Sequence, residues 1–205
     1  MKIKTVEIEQ LIKDKKAIID LKKVICQNTY DVFACIKNSF KELLDQESED
    51  ISLNEENDHN IIFKVYNTTI GCAIVDGVSM LNDSKLISEE MIEQINAKNL
   101  REIVYDTDYN KFLTGMIAVY VKEEGSKNVT ASKFYVNHNK TTMYKSEIGL
   151  TTIHHVEADR LEEMLPAIIH SNIENALFQG FSQWDDSSQA FKDPSELKKS
   201  KKIGF

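Results

Sequence analysis

The chain has 205 residues, 41% of them hydrophobic and 28% charged, with a formal net charge of −8. That length can bury roughly 70% of the unfolded surface in one core without a metal or disulfide, so one globular domain over residues 1–191 is expected, with a basic tail over 192–205. The acidic balance argues against general binding along a nucleic-acid backbone, which draws on clustered Lys and Arg, and leaves room only for a localised basic patch, and the unpaired spacing of Cys26, Cys35 and Cys72 excludes a disulfide scaffold or zinc motif.

Met1-Lys2-Ile3-Lys4-Thr5 leads into a charged amphipathic segment and not into a secretory apolar run, and no apolar stretch approaches the ~20 residues needed to span a bilayer. With reduced thiols, these features point to the cytoplasm. From Thr5 to Ile25, Ile8, Leu11, Ile12, Ile18, Leu21 and Ile25 recur at helical spacing. Asn28 and Thr29 are residues that cap helices, and Phe33, Ile36, Phe40 and Leu43 then recur on one side. The spacing predicts two helices meeting at Gln27-Asn28 as a hairpin.

Between Glu42 and Asp58 stand Glu42, Asp45, Glu47, Glu49, Asp50, Glu55, Glu56 and Asp58, with no lysine or arginine. The composition predicts a hydrated acidic connector over 42–58. Strands are expected at Ile61–Tyr66 and Thr69–Val75 around Asn67-Thr68, with a turn at Asp76-Gly77. Ser88 with Glu89 and Glu90 behind it opens a short helix to about Lys98, and Ile87 is placed to staple against Ile92.

Met116 to Glu123 is apolar on both alternating faces, as a central strand requires. Val129–Val136 follows across Glu124-Gly125-Ser126-Lys127-Asn128, and Asn137-His138-Asn139-Lys140 and Gly149 mark two further turns before Thr151–Val156. Connections this short return a strand antiparallel. Asp159 and Glu162 form a capping box for a last helix, carrying Ile169, Ile173, Ala176 and Leu177 on one stripe, whose regular part is expected to begin at Pro166 or to kink just before it. The fold class that results is α+β: an antiparallel sheet of about five or six strands, an N-terminal helical hairpin and a long C-terminal amphipathic helix.

For chemistry, His155, Glu157 and the Asp106/Asp108 pair are the residues that could begin a divalent-metal site in a hydrolase or nuclease. No phosphate-binding glycine loop, nucleophile elbow or Cys-x-x-Cys accompanies them, and Asp flanking Thr107 is also what a turn uses. His170 and Glu174 stand at the spacing of a helix surface pair. Phe181, Trp184 and Phe191, beyond the stripe of the last helix, are aromatic anchors of the kind found at protein interfaces. The reading favoured is a non-enzymatic cytoplasmic protein that binds another protein or a second copy of itself through Phe181, Trp184 and Phe191, needing no cofactor. An inhibitor, an immunity or antitoxin component, a counter-defence protein or a chaperone would fit. Low proline and abundant Lys, Ile and Asn resemble usage in AT-rich bacteria and their phages.

Overall fold

The computed structural model describes residues 2–44, 51–123, 129–146, 153–156 and 158–178. The chain enters as one helix, α1 (Lys2–Leu44), and then runs β1 (Ile51–Glu56), β2 (Asn60–Val65) and β3 (Thr68–Met80). Three short helices follow, α2 (Glu89–Asn96), α3 (Leu100–Tyr105) and α4 (Thr107–Asn110). Then come β4 (Leu113–Glu123), β5 (Val129–Val136), β6 (Thr142–Ser146), β7 (Ile153–Val156) and α5 (Ala158–Phe178). The described strands form a seven-stranded antiparallel sheet in chain order, so each strand pairs with its sequence neighbours. β4 is its middle strand, as the two-sided apolar pattern required.

Register sets one face. Phe63, Ile70 and Val121 lie side by side across β2, β3 and β4, and Ile117, Phe134 and Tyr144 across β4, β5 and β6. Val32, Phe33, Ile36 and Phe40 of α1 cover this face together with Leu161, Leu165, Ile168 and Ile169 of α5. Phe40 stacks on Phe63 at 6.3 Å between ring centroids, and Phe134 meets Tyr144 at 5.0 Å. A second cluster, at the sheet end where β3 stops and β4 starts, joins Ile25 of α1 to Leu81, Leu86, Ile95, Ile103, Phe112, Leu113 and Met143.

The helical hairpin does not form: α1 continues for 43 residues through Gln27-Asn28-Thr29. The polar side chains read as caps have other partners. Asn28 Nδ2 donates to the carbonyls of Asn137 (3.1 Å) and His138 (2.8 Å) in the β5–β6 turn. Thr29 Oγ1 donates to Ile25 O at 2.7 Å within the helix, the back-bond open to a mid-helix threonine. There α1 comes down on β4 at Gly115, where any Cβ would overlap the Thr29 hydroxyl.

The acidic connector is also shorter than its composition implies. Residues 51–56 form β1, with Ile51 opposite Val65 and Leu53 opposite Phe63, and Ile51 packs on the core. Charge hid the alternation. Glu56 is held by Lys41 (2.6 Å) and Lys37 (3.3 Å) of α1, and the Lys41 hydrogen bond leads in keeping its carboxyl below the usual range. As the sheet's first strand, β1 presents charge where an open edge would otherwise recruit another strand. Residues 45–50 lie outside the described residues.

α2 opens at Ser88, whose hydroxyl accepts from Met91 N at 3.2 Å, as the sequence indicated. α5 runs from Ala158 through Pro166 and does not begin at it. Leu161 and Leu165, both buried, hold the turns ahead of the proline on the sheet, and that packing offsets the ~3 kcal/mol of an interior proline.

Candidate functional site

α1 is longer than the sheet it covers. Its carboxy-terminal half lies over the strands, and its amino-terminal half projects past the β3–β4 end beside α3. Asp14, Leu21 and Ile25 lie on one line of the helix. Ile25 and the half-buried Leu21 pack with the second cluster. Asp14, only 3% exposed, ion-pairs with Arg101 Nε, accepts from Tyr105 Oη at 3.0 Å and accepts from Gln10 Nε2 at 2.8 Å. Both hydrogen bonds fall on Oδ1, while Oδ2 has the Arg101 guanidinium as its ion-pair partner, and these contacts tie this half of α1 to α3.

α1 also carries an apolar line facing outward. Ile8 is 56% exposed, Ile12 63%, Ile19 40% and Tyr30 37%, with the half-buried Cys26 between the last two and Leu11 beside the first. Ile8 to Tyr30 spans ~33 Å of helix. Among the described residues a hollow of about 440 Å³ on this face is lined by Ile19, Lys22, Lys23, Cys26, Gln27 and Tyr30. Tyr30 closes its end, edge-on to His59 with ring centroids 5.3 Å apart and its hydroxyl 3.2 Å from Nδ1. Burial, with the nearby Asp76, Cys26 and Asp58, pushes the Tyr30 phenol up, so it stays a protonated, neutral rim. Burial also pushes the Cys26 thiol up, against the pull of Lys22, so this cysteine is not poised as a nucleophile.

Of the residues singled out from the sequence, those within the described set fall elsewhere. Asp106 caps α4: its Oδ1 accepts from Asp108 N at 3.1 Å and its Oδ2 pairs with Lys98 Nζ at 3.3 Å. Asp108 occupies the first turn of the same helix. His155 sits in β7 opposite Met143 in register. Glu157 and the side chains of His155, Asp159 and Glu162 lie outside the described residues, as do Phe181, Trp184, Phe191 and the tail 192–205. The described residues contain no group of three or more His, Cys, Asp or Glu placed to hold a metal ion. His170 Nδ1 stands 4.0 Å from Glu174 Oε2 on an exposed face of α5. Among the described residues no helix is long and apolar enough to cross a membrane.

The outward line on α1 was not singled out from the sequence, because Ile8 and Ile12 were read in one helical periodicity with Leu11, Ile18, Leu21 and Ile25, and Ile19 was not among them. A signal was present: Ile8, Ile12 and Ile19 point roughly 140° around the helix axis from the line through Asp14, Leu21 and Ile25. No protein-family model, curated protein or solved structure matches the chain.

Proposed function

We propose that this is a non-catalytic protein-binding protein that engages its partner, another protein or a second copy, through the outward face of α1. The observation that carries the reading is the line of Ile8, Ile12, Ile19 and Tyr30, large apolar side chains exposed in sequence along a helix whose other side is locked by Asp14 and Ile25. Single exposed apolar residues are ordinary, whereas an ordered row of them on a rigid element is what interfaces use. Phe181, Trp184 and Phe191 are proposed as a second set of anchors on the same grounds of residue type.

The test is co-purification of tagged full-length chain from its native host, with Ile12→Ser/Ile19→Ser beside the wild type and circular dichroism on both. The variant is expected to keep its melting transition, as surface substitutions change stability by only about ±0.5 kcal/mol, and to lose a protein that the wild type retains stoichiometrically. Retention of the same partner by the folded variant would remove α1 from the interface.

A further inference from the structure

The pattern of charge along the α1 row narrows the partner, on the reading that this row is a docking surface. Ile12, Ile19 and Cys26 recur every seventh residue, the spacing that keeps a seam facing a second helix laid alongside. The steps between these apolar rungs are filled by Lys15-Lys16 and Lys22-Lys23. On the solvent side, the rail beside the seam reads Glu9, Lys16, Lys23 and Tyr30, all exposed. The middle of the surface is therefore basic on a chain whose net charge is −8.

We infer that the α1 row receives an acidic amphipathic helix of another protein, with its apolar side chains against Ile12, Ile19 and Cys26 and its carboxylates beside Lys16 and Lys23. A second copy of the chain fits less well. Two α1 helices paired in parallel set Lys15 against Lys15 and Lys22 against Lys22, and an antiparallel pair centred between Ile12 and Ile19 sets Lys15 against Lys16 at its middle, with Lys22 facing Glu9 only towards its ends. Like charges set face to face disfavour a pairing, while the residues flanking a helical seam select the partner of opposite charge.

The experiment uses the full chain and three probes: a designed helical peptide with leucines at the seam positions and glutamates flanking them, the same peptide with lysines in place of the glutamates, and vesicles of mixed phosphatidylcholine and phosphatidylserine. Fluorescence anisotropy reads the peptides and co-sedimentation the vesicles. The acidic peptide is expected to bind at least ~10-fold more tightly than the basic one, with affinity falling as salt rises, since exposed charge pairs are screened. Lys16→Glu/Lys23→Glu, checked by circular dichroism, should reverse that order, and Ile12→Ser/Ile19→Ser should abolish binding of the acidic peptide. Equal binding of both peptides, lost in Ile12→Ser/Ile19→Ser, would overturn the acidic partner while leaving docking on α1 standing. Binding of neither peptide, or binding to vesicles alone, would overturn the inference, and self-association lost in Ile12→Ser/Ile19→Ser would replace it with a second copy.

Discussion

Gly115 and Thr29 mark the closest approach of α1 to the sheet. Because a Cβ at position 115 would overlap Thr29 Oγ1, with Thr29 Cβ and Cγ2 also crowded, Gly115→Ala is expected to cost about 1–3 kcal/mol, the range for overpacking a fitted site. Adding Thr29→Ala should recover part of that loss, a coupling that a double-mutant cycle by urea unfolding would detect. Asp83 and Lys145 form another locked contact at 2.7 Å, with side chains 14% and 8% exposed. Burial of Asp83 acts to raise its pKa, but the hydrogen bonds from Lys145 and Lys85 N outweigh it, and the net shift is downward. Asp83→Asn takes a carboxylate away from a buried lysine and should cost about 1–3 kcal/mol at neutral pH. A carboxylate whose pKa is depressed on folding contributes stability above its unfolded pKa of ~3.9 and loses it as pH falls through the folded value. The gap between wild type and Asp83→Asn should therefore be constant near pH 7 and close only below about pH 4. A gap that closed between pH 7 and 5 would contradict the assignment.

At the scale of elements, the length of α1 is the feature on which the rest depends. Hydrogen exchange should show Gln27, Asn28 and Thr29 protected as strongly as the flanking turns, because they lie mid-helix beneath the β5–β6 turn. A hairpin at this point would leave their amides to exchange fast. The contrast shows what a sequence can and cannot disclose. The middle strand was legible because alternation on both faces of Met116–Val121 has one structural meaning, and α2 because Ser88, Glu89 and Glu90 make a start signal within a few residues. Asn28 and Thr29 were misleading because capping side chains have the same chemistry wherever they sit, and only the distant Asn137, His138 and Gly115 decide their use. β1 was hidden for a related reason: the two lysines that neutralise Glu56 lie on α1, well before it in sequence.

Taken as a whole molecule, the described strands form a simple antiparallel meander, with α1 and α5 on one face and α2–α4 capping one end. α1 serves two surfaces. One side closes both apolar clusters through Ile25, Val32, Phe33, Ile36 and Phe40, and the quarter beside it carries Ile8, Ile12 and Ile19 outward. The candidate site was only partly legible for this reason: helical periodicity counts apolar residues around the axis, but which of two lines is covered depends on where Arg101 and Tyr105 of α3 hold Asp14. The most direct test places a photo-crosslinking residue at position 12 of the full chain in its native host, and another at position 64, exposed on β2 where the strand alternates away from α1. A discrete crosslinked protein from position 12 and none from position 64 is the expected result; equal crosslinking from both positions, or none from position 12, would contradict the assignment of α1 as the docking surface.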